Sequence, residues 1–346
     1  MAALLELDGL SKSFFGVKAL KGVTLSVEEG SVLGLVGENG AGKSTLMNLI
    51  GGIHAPTEGA MRMDGHAYAP RTAADAKAAG IAFIHQELNL FTNLSIAENV
   101  FIDGFPKRFG LIDRRAARTR TAELLGALDL DQSPDARVES LSPGERQLVE
   151  IAKALHRDAR LIILDEPTTS LTARETVRLF ETMDRLRARG VTMIYISHVL
   201  ADVARLSTHV AVLRDGALVT TGTADAFDVP TMIQAMIGRE LTQLFPPRTC
   251  APGADIVLSV EKVSQPGVVK DVSLEVRRGE ILGLFGLMGS GRSELARILF
   301  GLDDRAEGRI AVNGSELTDH GPTEAIAAGM AFVTENRREE GLLMEA

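Results

Sequence analysis

The stretch GENGAGKST, from Gly37 to Thr45, decides the fold of this chain. It fits the pattern G-x-x-x-x-G-K-[ST] in full, follows the apolar run VLGLV and opens a helical pattern, which is the context that a phosphate-binding loop requires. Glycines let such a loop close around a phosphate without Cβ clashes, and the amides of the following helix direct partial positive charge at the anion. The motif predicts a nucleotide site, with a tight glycine turn as the alternative.

All nine residues of the motif are assigned to this site. They are Gly37, Glu38, Asn39, Gly40, Ala41, Gly42, Lys43, Ser44 and Thr45. We expect Lys43 to reach the β- and γ-phosphates and Ser44 to ligate Mg²⁺.

A second motif, LIILDEPT at residues 161–168, places two acids at the end of an apolar run. Asp165 is positioned to hold Mg²⁺, directly or through water. Glu166 is positioned to polarise the water that attacks the γ-phosphate. Taken alone, two acids at a strand end are often only solvated charges, but beside a full phosphate loop the catalytic interpretation is favoured.

The rest of this region predicts an α/β fold with a mostly parallel sheet. VLGLV, LIILD and VTMIYIS are short apolar runs, typical of strands buried on both faces, while LLELDGL and VTLSV alternate like half-exposed strands. Helical patterns separate them, as at residues 114–128, 145–157 and 173–189. Strands alternating with helices indicate ligand binding at the carboxyl ends of the strands.

The glycine loop is repeated later in the chain as GLMGSGRSE, Gly286 to Glu294, at an offset of 249 residues (286 − 37). The same offset pairs GVTLSVEEGSVLGLVG with DVSLEVRRGEILGLFG without a gap, which indicates a duplicated module. PPRTCAPG reads as a linker. We therefore predict a complete first domain at 1–245, a linker at 246–253, and the opening part of a second copy at 254–346.

Composition and charge narrow the classes of function. A net charge of −9, no tryptophan and two tyrosines argue against a nucleic-acid platform, which needs basic stripes and stacking rings. One cysteine, Cys250, is typical of a reduced, cytosolic chain. No secretory signal is recognisable, and no apolar run approaches the roughly 18–20 residues that span a bilayer. We expect a soluble protein, or one that reaches a membrane through a partner.

LSPGERQ, residues 141–147, lies between the two nucleotide motifs. Ser142 and Glu145 form an S-x-x-E capping box, and Pro143 would occupy the first helical position. A well-capped helix explains the stretch fully; a helix N-terminus that binds a second phosphate is the alternative.

In order along the chain, these residues resemble the ATP-binding cassette (ABC) family. LSPGE before LIILDEPT is similar to the family signature before its second nucleotide motif, with Ser142 and Gly144 facing the ATP of a partner cassette. The resemblance further implies that Gln86 is the glutamine-loop residue that meets Mg²⁺ and that His198 is the switch histidine. It places the D-loop at Ser170–Thr172.

The same resemblance assigns the adenine-stacking aromatic to Phe14, with Phe15 as the alternative. It implies the fold of a P-loop NTPase cassette, with an antiparallel β-subdomain and a helical subdomain.

Within that family, SKSFFGVKAL, HQELNLFTNLSIAENVF and VEIAKAL resemble the ATPase subunit of bacterial monosaccharide importers of the ribose, galactose and xylose kind. The resemblance implies two cassettes closing head to tail on ATP and Mg²⁺. It also implies a permease partner at the cytoplasmic face of the membrane and, indirectly, an extracytoplasmic sugar-binding protein. A nucleoside or other small solute, a soluble tandem cassette, and a non-catalytic nucleotide-binding module are the alternatives.

Departures from the family pattern carry their own expectations. Pro143, Glu145 and Thr172 stand where the family has glycine, glutamine and aspartate, and Glu145 puts negative charge near a phosphate site. In the second copy, Arg292 replaces lysine and Glu335 replaces glutamine, so we expect weak binding and poor hydrolysis there, with a purely structural strand–turn–helix as an equal alternative. Because no second signature follows, we expect an incomplete reading frame or a fragment, with a shortened natural protein as the alternative, and slow hydrolysis by a single chain.

Overall fold

The computed structural model describes residues 2–85, 88–169, 171–238, 251–287, 289–318, 321–334 and 341. The chain divides into two compact units, Met1–Thr242 and Gln243–Ala346. Most of the predicted linker, with Cys250, lies outside the described residues, so the domain boundaries at 245 and 254 stay a prediction. Within the described ranges, no helix is both long enough and apolar enough to cross a bilayer.

The first unit alternates strands and helices along most of its length. Its strands are β1 (Ala3–Phe14), β2 (Val17–Glu28), β3 (Val32–Val36), β4 (Glu58–Met63), β5 (His66–Ala67), β6 (Ile81–Ile84), β7 (Lys107–Arg108), β8 (Leu111–Ile112), β9 (Leu161–Asp165), β10 (Thr192–Ile196), β11 (His209–Arg214) and β12 (Ala217–Thr223). Its α-helices are α1 (Lys43–Ile50), α2 (Ala73–Ala78), α3 (Ile96–Val100), α4 (Arg114–Ala127), α5 (Pro143–His156), α6 (Ala173–Ala188), α7 (Leu200–Leu206) and α8 (Val229–Ile237).

A six-stranded sheet of order β12-β11-β3-β10-β9-β6 forms the centre of the unit. The pairs from β11 to β6 are parallel, and β12 is antiparallel at one edge. Both faces are covered: in β3, Val32 and Val36 belong to one core, whereas Leu33 and Leu35 belong to the other. The predicted α/β class, with short apolar strands buried on both faces, is confirmed.

One core lies between this sheet and helices α3 to α8. Gly34 permits the closest approach, because a Cβ built on it would lie 2.3 Å from Oγ of Ser207 and 2.5 Å from Cγ1 of Val203 on α7. A side chain at this position would push α7 away from β3.

The other core lies beneath a four-stranded antiparallel sheet of order β2-β1-β4-β5. Helix α1 contributes Leu46 and Leu49 to it, opposite Leu5 and Leu7 of β1. The phosphate loop, which directly precedes α1, is thereby fixed between the two sheets. The antiparallel sheet and the helices between β6 and β9 correspond to the two subdomains that the resemblance implies.

Helix starts in this unit differ in how their first amides are capped. Four helices begin with a complete capping box, in which a hydroxyl accepts from the third helical amide and an acid accepts from the N-cap amide. These boxes are Thr72–Asp75, Ser95–Glu98, Ser142–Glu145 and Thr172–Glu175. Helix α1 instead begins at Gly42 in the left-handed region (φ 102°) with no side-chain cap. The first backbone amides of α1 therefore donate to no capping side chain.

The second unit repeats the opening of the first. Its elements are β13 (Ile256–Gln265), β14 (Val269–Arg277), α9 (Arg292–Phe300), β15 (Glu307–Val312), β16 (Ser315–Glu316) and α10 (Pro322–Ala327). β15, β16 and α10 match β4, β5 and α2 residue for residue at the predicted offset, so the duplication extends to the fold.

The repeat differs at ILGLF, residues 281–285, which is equivalent to β3 but is not a strand. Ile281 and Phe285 are 97% and 100% exposed, whereas the equivalent Val32 and Val36 are 2% and 0% exposed. β3 is held by β10 and β11, and the described residues of the second unit contain no counterpart of either strand. Within the described ranges, the apolar run therefore has no neighbouring strand with which to pair.

Candidate nucleotide site

The carboxyl ends of β3, β10 and β9 meet at one edge of the central sheet and carry the predicted site. Ile196 of β10 pairs with Leu35 on one side and with Asp165 on the other. Asp165 is thus level with the start of the phosphate loop and two strands away, about 10 Å at ordinary strand spacing. The order of the strands therefore brings the phosphate loop and LIILDEPT, which are far apart in the sequence, to the same edge of the sheet.

The conformation of the loop depends on its glycines. Gly40 (φ 82°) and Gly42 (φ 102°) lie in the left-handed region. Gly37 is needed for space, because a Cβ on it would lie 2.4 Å from the carbonyl oxygen of Leu213. A Cβ on Gly42 would lie 2.9 Å from the carbonyl oxygen of Ala19. Glu38, Asn39, Gly40 and Ser44 are exposed, whereas Ala41 is buried and Thr45 half-buried.

Lys43 bends back over this loop. Its Nζ donates to the carbonyl oxygens of Gly37 at 2.6 Å and Glu38 at 3.0 Å. Burial lowers the pKa of Lys43, and the negative charges of Glu166 and Asp165 oppose that shift. The half-buried ammonium group of Lys43 therefore interacts electrostatically with both acids.

The two acids of LIILDEPT lie in different environments. Burial, followed by repulsion from Glu166, raises the pKa of Asp165, while His85 and Lys43 act in the opposite direction. Glu166 follows β9 in a left-handed conformation (φ 49°), and its amide donates to the carbonyl oxygen of Ile196 at 2.8 Å. Asp165 is therefore a carboxyl group whose negative charge its neighbours offset only in part, as suits a site for a cation.

His198, just beyond β10, meets Glu166 across the strand ends. Its Nδ1 lies 3.2 Å from Oε1 of Glu166, with 61% of the histidine side chain and 23% of the glutamate side chain exposed. Thr169 Oγ1 also donates to the Glu166 carbonyl oxygen at 3.1 Å. Sequence order alone did not give this contact; the structure brings the two predicted catalytic residues together.

Phe14, the predicted adenine-stacking residue, ends β1 and is half-buried. Its ring packs edge-on against His54 at 5.1 Å between ring centroids, and Nζ of Lys12 lies 5.1 Å from its centroid. Phe15 is fully exposed at the hairpin tip in a left-handed conformation (φ 47°). Neither geometry tests the stacking role, so Phe14 and its alternative Phe15 remain predictions.

The stretch LSPGERQ forms the start of α5 as predicted. Ser142 is the N-cap, Pro143 opens the helix, and Glu145 completes the capping box by accepting from the Ser142 amide at 2.8 Å. The Glu145 carboxylate also accepts from Nε2 of Gln132 at 2.8 Å. The predicted negative charge of Glu145 is thus directed to the N-cap amide of Ser142.

A different acid reaches the amide of Gly144. Oε1 of Glu175, on α6, accepts from Gly144 N at 3.1 Å. Sequence reasoning missed this residue, although Thr172 and Glu175 have the same S/T-x-x-E spacing that marked Ser142 and Glu145.

Three predicted positions lie outside the described residues: Gln86, Ser170 of the D-loop and Glu335. Gln86 follows β6, whose Ile84 pairs with Leu164 beside Asp165. Thr172, at the far end of the D-loop, is the N-cap of α6.

The second copy of the loop retains the turn and the helix. Gly291 (φ 87°) precedes α9, as Gly42 precedes α1, and Arg292 is the first helical residue. Arg292 is exposed, whereas Lys43 is half-buried. Glu294 adds an acid in the first turn of α9.

A family model described as ABC transporter matches residues 20–169 and 269–343. The chain belongs to the ABC transporter family. By family it is an ABC-type ATPase, and its motifs lie at the positions in the fold that are described above.

A putative ribose/galactose/methyl galactoside import ATP-binding protein 1 of Agrobacterium fabrum is 45% identical over 99% of this chain and 68% of its own length. Ribose import ATP-binding protein RbsA 2 of Streptomyces avermitilis is 44% identical over the same shares.

Solved ABC cassettes share the architecture. A nucleotide-free ATP-binding cassette from an ABC transporter is 26% identical with a TM-score of 0.60, and the match covers 69% of this chain and 96% of that one. The ADP conformation of the cassette MJ1267 is also 26% identical, with a TM-score of 0.61 over 69% of this chain and 100% of that one.

Proposed function

We propose that this chain is the ATP-hydrolysing subunit of an ABC importer that energises monosaccharide uptake through a membrane permease. The observation that carries the proposal is the convergence of Lys43, Asp165, Glu166 and His198 at one sheet edge. The choice of a monosaccharide is supported by relatives named for ribose and galactose import.

ATP binds at the carboxyl edge of the central sheet. The amides of the loop from Gly37 to Thr45 and the uncapped start of α1 receive the phosphates. Lys43 exchanges its two loop carbonyls for the β- and γ-phosphate oxygens, and Phe14 stacks on adenine.

Ser44 and Asp165 fit a magnesium ion. One supplies an exposed hydroxyl beside the loop, and the other a carboxyl group whose raised pKa reflects burial next to a second acid. Hard oxygen donors of this kind, completed by phosphates and water, are what Mg²⁺ prefers. Gln86 is the further expected contact. When bound, the ion supplies positive charge that offsets the charge of the phosphates.

Glu166 and His198 act on the attacking water. As the water oxygen attacks the γ-phosphorus, one of its protons passes to the Glu166 carboxylate and the bond to the bridging oxygen breaks, giving ADP and phosphate. His198, whose Nδ1 lies 3.2 Å from Oε1 of Glu166, orients that carboxylate. Its exposed side leaves the imidazole free to reach the γ-phosphate.

The permease docks beside the same edge. A cleft of about 270 Å³ lies between α2, β6 and α5, with an apolar floor that includes Ile81 and Phe83 and a charged rim that includes Lys77, Asp103 and Arg157. His85, adjacent to Gln86, lines it, so a partner seated there contacts the segment that leads to the nucleotide. The protein then lies at the cytoplasmic face of the membrane, and its cassette pairs head to tail with another cassette.

Reconstitution with the permease and sugar-binding protein tests this function. We expect the rate of ATP hydrolysis to rise when the sugar-binding protein is loaded with a monosaccharide. We expect no hydrolysis with the Glu166→Gln variant. Stimulation by a nucleoside and by none of the tested sugars would overturn the sugar assignment. Full turnover by the Glu166→Gln variant would overturn the site.

A further inference from the structure

The carboxylate of Glu175 joins the starts of two helices. Oε2 accepts from the amide and the hydroxyl of Thr172, at 3.0 and 2.8 Å, and so completes the capping box of its own helix, α6. Oε1 crosses to α5 and accepts from Gly144 N at 3.1 Å.

This bridging distinguishes Glu175 from the acids of the other described capping boxes. Asp75, Glu98 and Glu145 each accept from the N-cap amide of their own helix. None of those three accepts, among the described residues, a backbone amide from a different helix. Among these four acids, Glu175 is the one that accepts both from the N-cap amide of its own helix and from an amide at the start of a neighbouring helix.

Gly144 is shaped for this contact. A Cβ on Gly144 would lie 2.8 Å from both Cγ and Oε1 of Glu175, so only glycine lets the carboxylate reach the amide. Partial burial acts to raise the pKa of Glu175, but hydrogen bonds from Thr172, Ser142 and Gly144 hold it below its ordinary value. The carboxylate is therefore anionic at neutral pH and directly faces the helix N-terminus.

A second anion has room to enter at the same place. A cavity of about 290 Å³ opens at the start of α5 and is lined by Ser142, Gly144, Glu175 and Arg178. A hydroxyl, a backbone amide and a helix N-terminus form the donor set that recognises phosphate oxygens. In this structure the amide of that set donates to the carboxylate of Glu175.

We propose that Glu175 is a positioning residue whose carboxylate occupies the phosphate-recognising end of α5 and is displaced when a nucleotide phosphate of another cassette docks there. The proposal rests on the proposed function, because it takes the Ser142–Gly144 turn as the surface that meets a partner's ATP. Glu175 keeps the turn ordered in the separated cassette and sets the ATP concentration at which two cassettes close.

The first test needs neither ATP nor association, and its probe is inorganic phosphate. The Gly144 amide signal is followed by NMR at constant ionic strength. Prolyl carbonyls are labelled with ¹³C and glycyl amides with ¹⁵N, so that only glycines that follow a proline give a signal. The sequence has three such pairs, Pro143–Gly144, Pro252–Gly253 and Pro266–Gly267. Glu175→Gln keeps the length and the acceptor oxygen but removes the charge. We expect phosphate to shift the Gly144 signal at a concentration lower by about two- to tenfold than in the wild type, the range expected of one charge at a helix N-terminus.

Glu98→Gln is the matched control, because Ser95 and Glu98 form the same kind of box on α3, and the amide and hydroxyl that donate to the Glu98 carboxylate both belong to Ser95. It should lose a comparable amount of thermal stability without changing the response of Gly144 to phosphate. An unchanged response in Glu175→Gln, or an equal gain in Glu98→Gln, would overturn the proposal.

The second test measures association in the presence of MgATP by sedimentation velocity, with Glu166→Gln as the parent to prevent turnover. Adding Glu175→Gln should lower the ATP concentration at half-maximal association by a similar factor, and an equal or higher concentration would overturn the gating role. Failure of every variant to bind MgATP at the Lys43 loop would instead contradict the proposed function. The phosphate titration distinguishes the two failures.

Discussion

Nδ1 of His198 lies 3.2 Å from Oε1 of Glu166, and this contact links the ends of two neighbouring parallel strands. The two residues follow β10 and β9, so their spacing is fixed by the sheet and not by a mobile side chain alone. A shift of either strand end would separate Glu166, the proposed base, from His198, the group proposed to orient it.

Replacing Glu166 with glutamine should abolish ATP turnover and preserve ATP binding. The amide cannot accept the proton of the attacking water, and loss of a general base typically lowers the rate about 10²- to 10⁴-fold. Steady-state phosphate release and calorimetric MgATP titration measure the two effects. Glu181→Gln, an exposed position on α6, is the control and should retain the parent rate. Turnover of Glu166→Gln equal to that of the control would remove Glu166 from its role.

Replacing Lys43 with alanine should remove the high-affinity nucleotide binding of the chain. Lys43 is the one cation that reaches both the loop carbonyls and the charges of Asp165 and Glu166 among the described residues. Arg292 in the second copy is exposed, so Arg292→Ala should leave the binding isotherm unchanged. Residual stoichiometric binding of MgATP by Lys43→Ala would mean that the second copy binds nucleotide.

Replacing Gly34 with alanine should destabilise the first unit by about 1–3 kcal/mol, because the new methyl group would overlap Ser207 and Val203 of the α7 region. Gly126→Ala on α4 is the matched control, since nothing lies within 4 Å of its Cβ position. In a helix that substitution typically stabilises by about 0.5–1 kcal/mol. Urea unfolding of both variants measures the difference. Equal stability of Gly34→Ala and the wild type would show that α7 relaxes freely.

Glu150 should make stability depend on pH in the direction opposite to an ordinary ion-paired acid. Its side chain is buried, and burial raises its pKa above the ordinary 4.5 despite the nearby Lys153. Because the pKa of Glu150 is higher in the folded state, its contribution to the free energy of unfolding is complete at pH values below its unfolded-state pKa. That contribution is lost as the pH rises through its folded-state pKa.

Glu150→Gln, which cannot ionise, should therefore gain stability relative to the wild type as pH rises above about 4.5. Thermal unfolding at a series of pH values measures this gain, with Glu181→Gln as an exposed control. A difference that does not vary with pH would contradict the raised pKa.

Three neighbouring strands of the central sheet, β3, β10 and β9, were predictable because they are short apolar runs buried on both faces. LIILD coincides with β9, and VTMIYIS exceeds β10 by one residue at each end. The equivalent run ILGLF in the second copy is not a strand, because a buried parallel strand requires neighbours and an apolar run does not supply them. Local pattern identifies strand-forming residues, whereas pairing decides whether a strand forms.

The candidate site was predictable in its members but not in its contacts. Lys43, Asp165 and Glu166 follow from motif chemistry, and the role of His198 from resemblance. The bond from Gly144 to Glu175 joins residues 31 positions apart and depends on how α5 packs against α6. No sequence spacing encodes that packing, although the Thr172–Glu175 capping pattern marks the acid that makes it.

The central claim is that a metal-bound triphosphate lies in the loop from Gly37 to Thr45, facing Asp165 and Glu166. An experimental structure of the Glu166→Gln chain with MgATP tests it most directly. The account predicts Nζ of Lys43 at hydrogen-bonding distance from the γ-phosphate and a magnesium ion between Ser44 and Asp165. Density for the triphosphate elsewhere on the chain, or a metal with neither residue in its coordination sphere, would contradict it.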